Sequence, residues 1–292
     1  MSIKTIIYIA GEGHSGSTLL DIILGSREKS FSAGELVFLA EKGIINGEYC
    51  ACGTVVPDCP VWSEIIEEWN ETRILDLDSY SRIQKKLLSK KKLFQANKIL
   101  KKQPEEIKNF LRDTENLYDT IFKVTNSDCI IDSSKGPAMI PVLRKLGYNV
   151  KVIHLTRRFG DVLNSYKVHL KKDPEKGVEH EIKPLNTFYV LFSWFSKNLL
   201  TRFYSRGLEY RRLRYEDYIS DLKGSIQEII NVDAAVIEKL KNRGPFHPGH
   251  MVAGSRIRMK KEITVARKPV DTSYKRLNSF DRLLARSIDA FY

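Results

Sequence analysis

Residues 11–18, GEGHSGST, have the glycine spacing of a loop that binds phosphate groups, but they lack its lysine. In the pattern G-x-x-x-x-G-K-[ST], the lysine contacts the β- and γ-phosphates and the hydroxyl binds magnesium. Gly11 and Gly16 keep their places here, and Ser17 stands where the lysine should be. Backbone N–H groups of such a loop can still bind an anion without a metal ion. The stretch therefore predicts a cradle for a phosphate-like group and argues against hydrolysis of a γ-phosphate.

The segments around this loop predict a strand before it and a helix after it. Residues 3–10 are a mostly apolar run rich in isoleucine, as expected of a strand buried on both faces of a parallel sheet. From Thr18 the apolar spacing suits a helix that ends at Gly25. Residues 129–137 and 151–166 each predict a further strand followed by a polar turn. Strands alternating with helices predict βαβ units and a mostly parallel sheet flanked by helices.

Polar groups follow each of the predicted strands. Ligands of parallel sheets bind at the carboxyl ends of the strands. The glycine loop, Ser133 to Lys135, and Arg157 all lie at such ends, so we expect them to converge on one pocket. Arg157 and Ser165 flank a strand-to-helix junction, where they can grip a second phosphate. The sequence thus indicates a nucleotide with phosphates at two separate positions.

Residues from about 61 to 125 predict a helical, strongly charged insertion that is broken near Pro104. Its lysines alternate with leucine and isoleucine. This pattern favours an amphipathic helix with a solvated face, and its alternative is a docking surface for an acidic acceptor. The stretch contains Lys85, Lys86, Lys90, Lys91, Lys92, Lys98, Lys101 and Lys102, interleaved with Leu87, Leu88, Leu93 and Ile99.

Length and composition limit the admissible classes of protein. A chain of 292 residues, 42% of them hydrophobic, can form one domain with a large core, and we predict a single domain over residues 1–292. The net charge of +12 suits nucleic acid, anionic membranes and polyanionic small molecules alike. No apolar run approaches the roughly 20 residues of a membrane span. The N-terminus is typical of a buried strand rather than a signal peptide, so a cytoplasmic protein is expected.

Several stretches resemble those of sulfotransferases that use 3′-phosphoadenosine 5′-phosphosulfate (PAPS), particularly the bacterial polysaccharide-modifying and Golgi-type branches. Residues 11–20, GEGHSGSTLL, are similar to the family's lysine-less loop G-x-x-R-S-G-S-T-L-L, which binds the 5′-phosphosulfate. Residues 154–166, HLTRRFGDVLNSY, resemble its 3′-phosphate signature, which carries over Arg157 and Ser165. Arg158 and Phe159 replace the acidic residue and the proline that are usual there.

Three further stretches carry the same resemblance. RYED at residues 214–217 resembles the family's R-Y-E-D-L stretch, and HMVAGSRIR at 250–258 resembles its late loop H-x-V-x-G-N-x-x-R, with Ser255 in place of the asparagine. CACG followed by CPVW, within residues 50–62, resembles a cysteine-containing insert. The matches together run from Ile9 to Arg258.

The resemblance implies a three-layer, P-loop-like α/β fold and transfer of a sulfuryl group from PAPS to an acceptor, leaving adenosine 3′,5′-bisphosphate. Such a transition state needs cationic donors and a base, and no metal ion is expected. By resemblance, the candidate catalytic residues are Glu35 as the base, Lys135, which stabilises the leaving phosphate, and His14. His14 takes the place of an arginine and is mostly neutral at pH 7 with an ordinary pKa of about 6.5. The implied nucleotide-binding residues are Gly13, His14, Ser15, Gly16, Ser17, Thr18, Arg157, Ser165, His250 and Arg258.

Each site residue also has a structural interpretation. Glu35 can instead stabilise the start of a helix at Leu36. Lys135 can be a surface lysine, and Asp132 can be a capping acid of its turn. Trp194 lies in an apolar helix, where a core position is the default and adenine stacking the alternative.

The cysteines leave three interpretations open. Cys50, Cys52 and Cys59 lack the paired C-x₂-C spacing and the near fourth ligand of structural zinc sites. Loop packing and a disulfide under oxidising conditions are the alternatives to zinc. Cys129 lies in an apolar strand and is expected to be buried.

Two rival functions remain, a metal-dependent nucleotide kinase or NTPase and a basic nucleic-acid-binding protein. Ser17 argues against the first, and basic residues with few interleaved aromatics argue against the second. Neither a nucleic-acid partner nor a membrane span is expected. For the acceptor we expect a hydroxyl of a carbohydrate that carries carboxylates or sulfates, with peptide tyrosine, a lipid or a small metabolite as the alternatives.

Overall fold

A sheet of five parallel strands forms the centre of the protein. The computed structural model describes residues 4–89, 95–102, 104–269 and 274–292. The strands are β1 (Thr5–Gly11), β2 (Ser30–Gly34), β3 (Cys129–Lys135), β4 (Asn149–Thr156) and β5 (Glu209–Arg214). They are ordered β2-β3-β1-β4-β5, and every neighbouring pair is parallel. The predicted parallel sheet flanked by helices is thus confirmed.

Helices connect these strands and cover both faces of the sheet. Within the described residues the α-helices are α1 (Ser17–Leu24), α2 (Pro60–Thr72), α3 (Leu77–Leu88), α4 (Ala96–Lys102), α5 (Glu105–Thr125), α6 (Ile140–Leu143), α7 (Phe159–Tyr166), α8 (Thr187–Tyr204), α9 (Tyr215–Ser220), α10 (Leu222–Gln227), α11 (Ala234–Asn242) and α12 (Ser279–Asp289). A π-helix at Leu39–Ile45 and several short 3₁₀ turns lie between them. β1 occupies the middle of the sheet, so the loop that follows it lies at the centre of the carboxyl edge.

The side chains of β1 enter two separate hydrophobic cores. Ile6 and Tyr8 join the core beneath α2, α3 and α5, whereas Ile7 and Ile9 join the core beneath α1, α9 and α10. All four side chains are buried. The mostly apolar run in the sequence follows from this arrangement, because a central strand covered on both faces has no side that meets water.

The predicted helical insertion is present as α2 to α5. The amphipathic interpretation of its basic stretch holds for α3, where Leu87 is buried while Lys85 pairs with Glu41 at 2.7 Å and Lys86 with Glu106 at 3.8 Å. The alternative interpretation, a docking surface for an acidic acceptor, stays a hypothesis. Lys90, Lys91, Lys92 and Leu93 lie outside the described residues.

Helix α8 differs from the core helix that its apolar sequence predicts. Its inner face is made largely of small and medium side chains, including Val190, Ser193 and Ser196, which are buried. Trp194 is half-buried, and its Nε1 donates a hydrogen bond of 3.1 Å to the carbonyl of Arg157. A row of large apolar side chains faces outward instead, comprising Phe188, Phe192, Phe195, Leu199 and Phe203. Across the described ranges, no helix combines the length and the apolar character needed to cross a membrane.

Candidate active site

The glycine loop joins β1 to α1 at the carboxyl edge of the sheet. Gly11 has φ 142°, and a Cβ there would lie 2.2 Å from the carbonyl oxygen of Leu155 in the adjacent strand. Gly16 precedes α1 with φ 91°, and a Cβ there would lie 2.6 Å from the ring of Tyr215. No side chain caps the N-terminus of α1. The first-turn N–H groups of this helix therefore remain available to an anion.

A cleft of about 480 Å³ opens beside this loop. It brings together the β1–α1 loop, the end of β3 and the β4–α7 junction, as the sequence predicts. The predicted site residues that line it are Gly13, His14, Gly16, Ser17, Thr18, Glu35, Lys135, Arg157 and Ser165. Ser15 lies behind the loop, where its side chain is buried.

Two buried donors beside the cleft have no hydrogen-bond partner among the described residues. They are the hydroxyl of Ser15 and Nε of Arg157. The Arg157 guanidinium also donates to the carbonyl of His14 at 2.9 Å and lies 4.3 Å from the centre of the Tyr215 ring. Because unpaired buried donors are costly, Nε of Arg157, a residue that lines the cleft, indicates a place for an acceptor atom of a ligand. This donor set fits the phosphate groups of a nucleotide such as PAPS.

The side chain of His14 meets the cleft as a neutral imidazole. Removal from water, together with the positive charges of Lys135 and Arg157, lowers the pKa of His14 to about 4, although the ring borders the open cleft. Its edge packs against Tyr166, with ring centres 4.4 Å apart. The lowered pKa agrees with the expectation from the sequence that this histidine, unlike the family's arginine, is mostly neutral at pH 7.

Glu35 and Lys135 form an ion pair between β2 and β3. The carboxylate of Glu35 is buried, and it accepts a hydrogen bond from Nζ of Lys135. The backbone N–H of Glu35 donates to the carbonyl of Val252 at 2.8 Å. A 3₁₀ turn begins at Leu36, but the Glu35 side chain makes no capping bond with it. The Glu35 side chain therefore does not cap a helix, which was the alternative interpretation from the sequence.

Glu12 is a buried carboxylate that the sequence reasoning missed. It accepts hydrogen bonds from the N–H of Gly13 at 2.8 Å, Tyr166 at 2.8 Å, Ser193 at 2.6 Å and Lys197 at 3.0 Å. Burial acts to raise the pKa of Glu12, but the Lys197 ammonium and the hydroxyl donors outweigh it, and the pKa is lowered. This carboxylate fixes the loop against α7 and α8. The signal was an acid between two glycines directly after a buried strand.

Two protonatable carboxyls lie beneath the cleft rather than in it. Burial raises the pKa of Asp21 to about 8, and Ser133 donates a hydrogen bond of 2.6 Å to it. Burial also raises the pKa of Asp132 to about 6, and Tyr118 donates to it at 2.6 Å. The N–H of Ser134 donates to Asp132 at 2.9 Å, so this acid serves its own turn, as its structural interpretation predicts.

Replacement of Asp21 by asparagine is expected to flatten the dependence of stability on pH. Because the folded pKa of Asp21 lies above its unfolded value, its proton stabilises the fold fully below about pH 4, and this contribution is lost as the pH rises to about 8. Asparagine has no proton to lose. Denaturant unfolding at several pH values should show the free energy of unfolding falling less in the variant over this window, by on the order of a few kcal/mol. Parallel curves for the two proteins would contradict the assignment.

The late loop contacts the site through Gly254, Ser255 and Ile257, and not through His250 or Arg258. Gly254 and Ser255 line the cleft, and the N–H of Ser255 donates to the Thr18 hydroxyl at 3.0 Å. Arg258 is buried and donates to the carbonyl of Gly254 at 3.3 Å, which supports the loop from behind. His250 lies outside the cleft lining, with Nδ1 3.1 Å from Sγ of a cysteine, Cys59. The structure thus gives His250 and Arg258 supporting positions, where the resemblance implies nucleotide contacts.

A second cavity of about 360 Å³ shares a wall with the cleft. Gly13, Glu35, Lys135 and Tyr166 line both spaces. The remaining lining is largely apolar with a few polar groups: Val37, Phe38, Leu88, Pro137 and Phe192, with Ser134, Ser193, Ser196 and Lys197. The ion pair of Glu35 and Lys135 therefore lies between two adjacent ligand-sized spaces.

Two solved structures resemble this architecture at low sequence identity. A sulfotransferase domain from the curacin biosynthetic pathway is 16% identical, with 94% of this chain and 96% of that chain covered and a TM-score of 0.50. A sulfotransferase domain from the Synechococcus PCC 7002 olefin synthase is 14% identical, with 100% and 96% covered and a TM-score of 0.52. No family model and no curated protein matches the chain. These similarities establish the fold: the chain has the α/β fold found in sulfotransferase domains.

Proposed function

We propose that this protein is a sulfotransferase that moves a sulfuryl group from PAPS to an acceptor hydroxyl. The observation that carries the proposal is the position of the Glu35–Lys135 pair in the wall shared by the two cavities. One space adjoins the glycine loop and fits the nucleotide. A base and a cation thus lie between the donor and the acceptor, where sulfuryl transfer needs them.

Each residue of the proposed site has one chemical task. Backbone N–H groups of residues 14–18 hold the 5′-phosphosulfate, since the N–H of Gly13 already donates to Glu12, and Arg157 with Ser165 holds the 3′-phosphate. The acceptor oxygen attacks the sulfur while its proton passes to the carboxylate of Glu35. The bond from sulfur to the bridging oxygen breaks, and the ammonium of Lys135 stabilises the charge that develops on the leaving phosphate.

The carboxylates near the cleft support this reaction over phosphoryl transfer. Among the described residues that line the cleft, Glu35 is the only carboxylate, and it is already paired with Lys135. Asp21 and Asp132 are fully buried and hydrogen-bonded beneath the loop. Magnesium in nucleotide kinases is bound by carboxylates and substrate phosphates. In the described part of the chain, no such set of carboxylates lines the cleft beside the glycine loop.

The lining of the second cavity supports an acceptor hydroxyl attached to an apolar group. Phe38, Leu88 and Phe192 offer surfaces on which an apolar group can pack, whereas Ser193 and Ser196 can bind a polar portion beside the hydroxyl. The expected carbohydrate acceptor stays a prediction. A screen that pairs apolar alcohols with sulfated and carboxylated sugars as acceptors distinguishes the two classes.

Nucleotide binding tests the proposal without knowledge of the acceptor. Thermal unfolding of the full chain should be measured with adenosine 3′,5′-bisphosphate, with AMP, and with ATP plus magnesium. At 100 times its dissociation constant, a ligand adds about 2.7 kcal/mol of stability. For a chain of this size that is a rise of about 5 °C in the unfolding temperature. We expect the largest rise with the 3′,5′-bisphosphate.

Two outcomes would overturn the proposed function. A larger rise with ATP and magnesium would favour a kinase or NTPase. Salt-dependent binding to generic DNA or RNA, with no effect of any nucleotide, would favour the nucleic-acid-binding alternative.

A further inference from the structure

Four side chains of the types that bind metal ions meet beside the start of the late loop. They are Cys50, Cys52, Cys59 and His250, and their ligand atoms all lie within 4.8 Å of one another. Nδ1 of His250 lies 3.1 Å from Sγ of Cys59. All the cysteines are free thiols. The sequence spacing alone hid this cluster, because its fourth member follows Cys59 by 191 residues.

Backbone contacts hold the cluster in place. Residues 50–54 form a tight turn. The N–H of Gly53 donates to the carbonyl of Cys50 at 3.0 Å, and the N–H of Cys50 donates to the carbonyl of Thr54 at 2.8 Å. The N–H of Ala51 donates to the carbonyl of Met251 at 3.0 Å, which joins the turn to the late loop. The indole of Trp62 hydrogen-bonds the carbonyl of His250. The two segments that supply the ligands are therefore fixed to each other independently of their thiols.

We propose that Cys50, Cys52, Cys59 and His250 bind one zinc ion in a structural site. Three thiolates and an imidazole are a ligand set typical of tetrahedral structural zinc, which leaves no position open for catalysis. Zinc–sulfur bonds of about 2.3 Å place tetrahedral sulfurs roughly 3.8 Å apart. Since no two ligand atoms of the cluster are more than 4.8 Å apart, none of these distances has to shorten by more than about 1 Å. This site revises the expectation that the protein needs no metal, whereas the proposed sulfuryl transfer itself still uses none.

The zinc ion would fix the position of the late loop. His250 leads within a few residues to Gly254 and Ser255, which line the cleft, and Ser255 contacts the Thr18 hydroxyl at 3.0 Å. Cys50 pairs with Val252 in an isolated β-bridge, so a metal bound by Cys50 and His250 would tie the start of the late loop to the turn at residues 50–54. Loss of the metal should therefore lower the stability of the protein.

Metal content of the purified full chain tests the proposal. We expect one zinc per chain in the wild type, measured by elemental analysis and by zinc release on thiol modification. Cys52→Ser removes one ligand, and it is the informative variant because the Cys52 side chain is exposed and supports no core packing. Cys129→Ser is the matched control, since Cys129 lies in β3 outside the cluster and should leave the zinc content unchanged. Cobalt in place of zinc should give the visible absorption of a tetrahedral thiolate site in the wild type and not in Cys52→Ser.

Three results would overturn the site. One is purified wild-type protein that lacks zinc and gives no thiolate absorption with cobalt. Another is full zinc occupancy and an unchanged cobalt spectrum in Cys52→Ser. The third is a disulfide between two of these cysteines, found by peptide mapping without reduction. If Cys52→Ser does not fold, as judged by circular dichroism, the cobalt spectrum of the wild type decides. None of these readouts uses nucleotide binding, so the zinc site and the sulfotransferase function succeed or fail separately.

Discussion

Replacement of Glu35 by glutamine is expected to lower kcat for sulfuryl transfer by about 10²- to 10⁴-fold, the usual contribution of a general base. Glutamine keeps the size of the side chain and an oxygen that can accept from Lys135, but it cannot take the proton of the acceptor hydroxyl. The affinity for adenosine 3′,5′-bisphosphate should not change, because the proposed phosphate contacts come from the glycine loop and Arg157. The measurement is conversion of PAPS to the bisphosphate in the presence of an acceptor.

Glu41→Gln is the matched control for this variant. Glu41 is a carboxylate six positions along the chain, paired with Lys85 at 2.7 Å and absent from the lining of both cavities. It should retain wild-type turnover. If Glu35→Gln keeps more than about a tenth of the wild-type kcat, Glu35 is not the general base. His14→Asn would then test the neighbouring imidazole.

Arg157→Ala should lower the affinity for adenosine 3′,5′-bisphosphate by about 10- to 150-fold, which corresponds to the 1.5–3 kcal/mol of a charged hydrogen bond. Its guanidinium lies on the Tyr215 ring and has a buried N–H without a partner among the described residues. We expect AMP to lose less affinity, because it lacks the 3′-phosphate that Arg157 is proposed to hold. Calorimetric titration of both ligands measures the difference.

The adjacent arginine provides the control for charge. Arg158→Ala removes an exposed guanidinium at the next position, whose backbone N–H still donates to Glu216 at 3.1 Å. It should bind both nucleotides almost as the wild type does. Equal losses for AMP and the bisphosphate in Arg157→Ala would show that the arginine acts by shaping the loop through the His14 carbonyl. The 3′-phosphate assignment would then be withdrawn.

The fold could be predicted where the pattern of apolar residues along the chain matches the way those residues are buried. The apolar run of β1 indicated a strand covered on both faces, and that is where the strand lies. The helical insertion could also be predicted from the spacing of its apolar residues. The burial of helix α8 could not, because the spacing of apolar residues does not show which of them face the protein. Its small side chains face inward while Phe192 and Phe195 face outward.

Some residues of the site could likewise be placed from the sequence, and others could not. Residues next to strand ends, such as Lys135 and Arg157, could be placed in one cleft because parallel strands share a carboxyl edge. Glu12 could not be assigned, because its partners come from α7 and α8 and no sequence pattern joins them. The resemblance assigned His250 to the nucleotide, but in the structure this residue lies beside Cys59, 191 positions earlier in the chain. Such long-range contacts become visible only in three dimensions.

The anchoring of Glu35 and Thr18 by the late loop has a consequence for protein synthesis. Glu35 donates to Val252 and Thr18 accepts from Ser255, so both early residues depend on a segment translated more than 200 positions later. At ordinary rates of elongation this is a delay of roughly 10 to 40 seconds. Throughout that interval a nascent chain holds the glycine loop and the proposed base without the backbone that orients them. We therefore expect the proposed active site to form in one step, after the late loop has left the ribosome.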